Sequence, residues 1–249
     1  MAPANQPRLN VVKDANELAR AAAERLVARI AKNEGRAAVC LSGGSTPRQV
    51  YDLLRLSPWK EQIPWRRVHW FIGDERFVPE GDPLNNMTVA RHCLIDRYSS
   101  TANVHPVKTA AESPTKAAAL YEAELKSFYG ADKLDPEKPL FDLVLLGIGP
   151  DGHTASLFPG DASIEETKRW VVGIANANVA PFVPRVTLTM PALASCREML
   201  FLIAGSEKRA ILARLLHGED LPAARMLSTG ETIWLADEAA LPEDFGGQR

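Results

Sequence analysis

Residues 141–146, Phe-Asp-Leu-Val-Leu-Leu, break abruptly into Gly147-Ile-Gly-Pro-Asp-Gly-His-Thr-Ala-Ser-Leu-Phe-Pro-Gly160, and this junction constrains the fold more than any other stretch. A short run rich in Val and Leu suits a strand covered on both faces, as in a parallel sheet. Ligands in open α/β sheets bind outside the carboxyl ends of the strands, so Asp151 and His153 stand where a small-molecule site is expected. Gly147, Gly149 and Gly152 permit backbone angles and close approaches that a side chain would block. An Asp and a His two residues apart at such an edge form a candidate proton-transfer pair. At an ordinary strand-to-loop turn the same two residues would only satisfy local backbone groups, and the motif alone leaves both readings open.

The alternation recurs along the chain. Residues 14–32 carry a helical stripe of Leu18, Ala22, Leu26 and Ile30, with Asp14 as N-cap, Glu17 as its acidic N3 partner and Gly35 beyond the end. A strand is predicted over 37–41, followed by a glycine loop and a helix with Thr46 as N-cap, Pro47 in its first turn and Val50, Leu53 and Leu54 on its buried face. Further strands are predicted over 68–72, 170–174, 185–188, 199–204 and 232–235, and helices over 85–95, 113–129 and 207–216. Strands alternating with helices imply right-handed crossovers. The expected fold class is therefore α/β: a Rossmann-like, mostly parallel sheet with helices on both faces, and room for a small flanking subdomain. No repeat or linker divides the chain, so residues 1–249 are read as one domain.

Composition narrows the function classes. Hydrophobic residues at 46% and charged residues at 24% describe a globular chain able to bury a core, and a net charge of −2 offers no electrostatic case for nucleic acid or a membrane surface. Any substrate phosphate must be met locally. Cys40, Cys93 and Cys196 lack the spacing of a zinc or redox motif and read as reduced core thiols, while His69, His92, His105 and His217 show no metal-ligand spacing, so no metal is assigned. Met-Ala-Pro-Ala-Asn-Gln-Pro-Arg at the start has no apolar signal core, and no apolar stretch is long enough to span a membrane. The expectation is a cytoplasmic protein with no obligate protein partner.

Three further loops carry candidate chemistry. Leu41-Ser-Gly-Gly-Ser-Thr-Pro47 places two glycines and two hydroxyls between a strand and a helix, where free amides and the positive helix end would suit a phosphate. It matches neither the Walker pattern nor the dinucleotide fingerprint, and a tight turn with a well-capped helix is the bland alternative. Gly73-Asp-Glu-Arg76 ends the next strand with opposite charges: Arg76 suits an oxyanion or phosphate and Asp74 could orient a reacting group, against the alternative of a surface ion-pair cluster. Arg185, opening Arg-Val-Thr-Leu-Thr189, and Lys208, closing Gly205-Ser-Glu-Lys208, could each complete a phosphate pocket, although such cations are more often solvated. The case rests on their convergence on one rim.

Taken together, residues 41–47, Trp70-Phe-Ile-Gly-Asp-Glu-Arg-Phe-Val78, Asn85-Asn-Met87, residues 149–159, 185–189 and 205–208 resemble, in order and over nearly the whole chain, the glucosamine-6-phosphate isomerase/6-phosphogluconolactonase family on its lactonase side. The resemblance implies cofactor-free hydrolysis of 6-phospho-D-glucono-1,5-lactone in the oxidative pentose phosphate pathway. It implies His153 as general base, Asp151 as its orienting partner and Asp74 as a further catalytic group. Gly43, Gly44, Ser45, Thr46, Arg76, Arg185 and Lys208 become the phosphate and sugar contacts, with the oxyanion donor left between glycine-loop amides and Arg76. The deaminase branch shares the sheet and the Asp-Gly-His signature, but carries an acidic residue shortly after the His in an Asn-Glu-Pro-like segment. Here the segment is Leu157-Phe158-Pro159, which argues for the lactonase. A non-catalytic sugar-phosphate sensor is the alternative from another class, disfavoured by the intact Asp151 and His153.

Overall fold

The structure is a computed structural model describing residues 6–100, 103–243 and 245; the reading of the N-terminus at residues 1–5 lies outside them. The strands are β1 (Arg8–Val12), β2 (Ala37–Leu41), β3 (Val68–Ile72), β4 (Asp74–Arg76), β5 (Leu143–Leu146), β6 (Val171–Ile174), β7 (Arg185–Leu188), β8 (Glu198–Ile203) and β9 (Glu231–Asp237). The α-helices are α1 (Ala15–Ala31), α2 (Ser45–Leu54), α3 (Trp59–Gln62), α4 (Asn86–Ala90), α5 (Pro114–Tyr129), α6 (Met190–Ala194), α7 (Arg209–Leu216) and α8 (Pro222–Arg225).

Six strands pair in the order β1-β9-β8-β5-β2-β3, all parallel, and β4-β7-β6 form a separate antiparallel sheet. Successive strand residues point to opposite faces, so the unbroken burial of β2, β5 and β8 means that both faces of the main sheet are covered. This is the α/β class expected from sequence. From β2 the chain steps outward to β3, then returns to the other side of β2 for β5, β8 and β9. The strand order therefore reverses between β2 and β5, the crevice where open α/β sheets bind ligands.

Local chemistry explains the main helices. Asp14 accepts from Asn16 N and Glu17 N at 3.0 Å each, capping α1, whose Leu18, Ala22, Leu26 and Ile30 are buried as predicted. Each buried Leu or Ile of that stripe contributes about 1.5–3 kcal/mol. Ser113 caps α5 through Lys116 N, and Gly130 ends it at φ 83°. Residues 85–95 begin as α4, capped by Asn85, and widen into a π-helical turn over Arg91–Ile95.

Several expectations need correction. Helix α2 starts at Ser45 with Gly44 as N-cap, so Thr46 lies inside its first turn; Gly44 has φ 112°, an angle that L side chains rarely adopt and that lets the chain turn into the helix earlier. Asp74–Arg76 is a strand rather than a loop end, and it pairs with β7, which pairs in turn with β6, outside the main sheet. The edge strand β1 was not anticipated, because Arg8–Val12 is largely exposed and shows no clean alternation.

A part-buried ion cluster around the buried Glu198 closes the amino ends of β8 and β9, opposite the carboxyl-end loops. Glu198, only 3% exposed, accepts from Arg25 Nε at 2.6 Å and from Arg29 Nε at 2.9 Å and Nη2 at 2.5 Å, while Glu231 accepts from Arg25 and pairs with Arg8. Removing one partner of such a pair strands the other charges. Glu198→Ala is expected to lower stability by about 3 kcal/mol in a urea titration, and the variant's carboxyl-end loops should keep their structure.

Candidate active site

The carboxyl-end loops enclose a cleft of about 290 Å³. Gly43, Gly44, Ser45 and Thr46 line it from the β2–α2 turn, Asp74 and Arg76 from β4, His153 from the loop after β5, and Lys208 from the turn after β8. Eight predicted site residues thus meet at one crevice. Asp151 joins through His153. Arg185 is not among the lining residues: its guanidinium donates to Val183 O at 3.0 Å and Pro181 O at 2.7 Å, and the residue pairs with Arg76 in the β4–β7 ladder. A larger concavity of about 600 Å³ runs beside β6 between Asp161 and Asn176, but none of the predicted site residues lines it.

The His153 loop is a compact knot. Gly149 N donates to His153 O at 2.8 Å and Gly152 N to Gly149 O at 3.0 Å, turning the chain back so that the imidazole lies against Gly149. Asp151 Oδ1 accepts from His153 N at 3.1 Å and lies 2.5 Å from His153 Nδ1. A carboxylate accepts only, so Nδ1 carries the proton, which leaves Nε2 with a lone pair when the ring is neutral. The Phe158 ring lies 5.0 Å from the imidazole, centroid to centroid. Ala155, which also lines the cleft, has φ 49° in a tight turn closed by Leu157 N to Thr154 O, a strained backbone of the kind concentrated at functional sites.

Side chains that sequence spacing did not single out hold this arrangement. Ser156 Oγ donates to Asp74 Oδ2 at 2.6 Å, and Ser156 N donates to Thr187 Oγ1 at 3.3 Å. Thr187, rather than Arg185, is therefore the member of Arg-Val-Thr-Leu-Thr that reaches the His153 loop. Asn86 lines the cleft, donates to Asp74 O at 2.9 Å and packs against Gly43, linking β4 to the glycine loop. Glu207 lines the cleft beside Lys208, whose Nζ donates to Ile148 O at 2.9 Å. Partners as far apart as Asp74 and Ser156 leave no local signal in a single sequence.

Glu75, fully buried, faces away from these contacts and anchors α4. Its carboxylate accepts from Asn86 N at 2.6 Å, Met87 N at 2.8 Å and Arg76 N at 2.8 Å. Burial raises its pKa from 4.5 to about 7, opposed by the three amide donors and reinforced by Asp74.

The family model for glucosamine-6-phosphate isomerases/6-phosphogluconolactonase matches residues 13–234. A 6-phosphogluconolactonase of Streptomyces coelicolor is 37% identical over 94% of this chain and 93% of its own length. The crystal structure of 6-phosphogluconolactonase from Thermotoga maritima superposes with a TM-score of 0.80 at 32% identity, covering 94% of this chain and 100% of that one. A monomeric glucosamine-6-phosphate deaminase shares the fold at 22% identity and a TM-score of 0.76, covering 94% of this chain and 98% of that one.

Two expectations follow from the geometry. A Cβ on Gly149 would lie 2.0 Å from His153 Cε1, so Gly149→Ala should rotate the imidazole out of its contact with Asp151, visible in a crystal structure of the variant and in the imidazole NMR resonances. Because the folded pKa of Glu75 exceeds the unfolded one, the folded state holds a proton between pH 4.5 and about 7 that the unfolded chain has released. The stabilisation from this group is complete below 4.5 and is lost as pH rises through about 7. Glu75→Gln removes that titration, so its melting temperature should fall less, or rise more, than that of the wild type as pH increases across the window.

Proposed function

The chain belongs to the glucosamine-6-phosphate isomerase/6-phosphogluconolactonase family, and from that premise we propose the following account of its activity and mechanism. It hydrolyses 6-phospho-D-glucono-1,5-lactone to 6-phospho-D-gluconate, the lactonase step of the oxidative pentose phosphate pathway. The observation that carries the mechanism is the contact of His153 Nδ1 with Asp151 Oδ1 at 2.5 Å, at the rim of a cleft with polar groups from β4 and from the turns that follow β2, β5 and β8.

Neutral His153 takes a proton through Nε2 from a water that attacks the lactone carbonyl carbon. The C–O bond to that water forms as the carbonyl π pair moves to oxygen, and Asp151 stabilises the resulting imidazolium while holding the ring in one tautomer. Collapse of the tetrahedral intermediate breaks the bond to the ring oxygen, and the imidazolium returns its proton to that oxygen as it leaves. The products are the open-chain hydroxyl and a carboxylic acid that ionises in water. Water is the only second substrate, and a lactone is already an activated ester, so no covalent enzyme intermediate is needed. The oxyanion calls for preorganised donors; the strained turn at Ala155 and the guanidinium of Arg76 are the groups at hand.

Amides and hydroxyls of Gly43, Gly44, Ser45 and Thr46 at the start of α2, with Lys208 lining the same cleft, suit the 6-phosphate, since a helix amino end favours an anion. Asp74, held by Ser156, suits a sugar hydroxyl or the attacking water. Arg185 acts through Arg76, whose site it flanks while bracing the Pro181–Val183 carbonyls. Deamination would need an acid where Phe158 stands, and the Phe158 ring leaves an apolar wall beside the imidazole instead. We place the reaction in the cytoplasm, in keeping with Cys40, Cys93 and Cys196 as buried free thiols. Among the described residues no helix is long and apolar enough to cross a membrane.

His153→Ala should reduce kcat by about 10³-fold with KM changing far less, measured on lactone generated in situ with spontaneous hydrolysis subtracted. Unchanged turnover in the folded variant would refute His153 as the base, and absence of any acceleration by the wild type would refute lactone hydrolysis itself.

A further inference from the structure

The carboxyl ends of β2 and β3 are each gripped by one buried tyrosine. Tyr51 on α2 donates to Ser42 O at 2.7 Å and accepts from Ser42 N at 3.1 Å. Tyr121 on α5 repeats the device at Ile72, donating to O and accepting from N at 3.0 Å each. Both side chains are 2% exposed. In each case a single hydroxyl satisfies both peptide groups of one residue, at the point where a strand gives way to a loop of the cleft.

The peptide groups at both positions lack a strand partner. Strand β3 is an edge of the main sheet, and Gly73 N already points at Leu41 O, so the alternating peptide groups of Ile72 face away from β2 toward a side where the described residues form no named strand and pair only through the isolated bridge of Trp70 with Val104. Ser42 lies one residue past the end of β2 and opens the glycine loop. Tyr51 reaches back to it from the helix that the loop leads into, closing residues 42–51 into a ring. Buried peptide groups without partners are costly, and a loop whose entry and exit are tied together presents its amides in one arrangement before any ligand arrives. Burial pushes both phenols above their ordinary pKa, so the hydroxyls remain protonated donors.

We propose that Tyr51 and Tyr121 are positioning residues: Tyr51 holds the glycine loop in its phosphate-receiving shape, and Tyr121 fixes the peptide that leads into Asp74. The inference rests on the reading of residues 42–46 as the phosphate site and of Asp74 as a group that meets the reacting end of the substrate.

Tyr51→Phe and Tyr121→Phe test it, since each keeps the ring and removes only the hydroxyl. Tyr51→Phe should raise KM for the phosphorylated lactone about tenfold, with kcat within about twofold and hydrolysis of unphosphorylated glucono-1,5-lactone unchanged. Tyr121→Phe should instead lower kcat about tenfold at nearly constant KM. Lower melting temperatures with both constants intact for both substrates would overturn the proposal and reduce the tyrosines to packing. Gly44→Ala, which forces an L side chain to φ 112°, separates the two layers of inference. If it raises KM for the phosphorylated lactone while Tyr51→Phe does not, the clamp is refuted and the phosphate-loop reading stands. If neither variant moves KM, that reading falls and the clamp with it. Amide hydrogen exchange on the wild type gives a test independent of variant folding: Ser42 and Ile72 should be protected to the level of the strand interiors, and fast exchange at either would refute its clamp.

Discussion

The parallel pairing of β2 with β5 is the constraint on which the rest depends. Its ladder is short, Val39 opposite Leu143 and Cys40 opposite Val144, and it is secured at the amino end by Asp142. Asp142 N donates to Ala38 O at 2.8 Å, while its buried carboxylate accepts from Ala38 N at 2.8 Å and from Asn33 Nδ2 at 3.1 Å. One acidic residue thus fixes the register of two strands that are distant in sequence. Everything at the opposite end inherits that register, because the glycine loop leaves β2 and the His153 loop leaves β5. A slip of one residue would turn the side chains of a strand to the wrong face and move the two loops apart.

The small antiparallel sheet gives the crevice its third wall. Strand β4 leaves β3 through Gly73 and carries Asp74 toward β7, where Thr187 pairs with Asp74 in the ladder and also receives Ser156 N. Asp74, Ser156 and Thr187 therefore tie the loop after β5 to a second structural layer. Glu75, alternating to the other side of β4, reaches the amino end of α4 and with it Asn86, which returns to Asp74 and to Gly43. The charge is costly there, as its raised pKa records, and three short amide donors offset part of that cost.

What the sequence made legible follows from how local each signal is. The Asp14 cap, the helix opened by Ser113-Pro114, apolar runs at 37–41 and 141–146 and glycines at strand ends are written within a few residues, and the structure places them accordingly, with the second run forming its strand over Leu143–Leu146. Convergence of eight predicted residues on one cleft follows from chain exits at the same end of a parallel sheet, through loops after β2, β5 and β8 and through β4 directly after β3. Strand β1 was missed because an exposed edge has little need of hydrophobic patterning, and Thr46 was misread as a cap because Gly44 adopts an angle that no side-chain rule signals. Ser156, Asn86, Tyr51 and Tyr121 act through partners fixed only by the folded topology.

The shared fold with a deaminase shows what the scaffold leaves undecided. A parallel sheet of this order brings its carboxyl-end loops to one crevice whatever the chemistry. Ring opening and deamination move protons between several substrate atoms and call for a second titratable group near the imidazole. Hydrolysis moves one proton from water to a leaving oxygen, for which one imidazole suffices. Here the neighbour of His153 on the far side from Asp151 in sequence is Phe158, 97% buried and unable to exchange a proton. An apolar ring there gives the imidazole no second proton donor or acceptor on that side, a difference that lies in the loop after the histidine and not in the sheet.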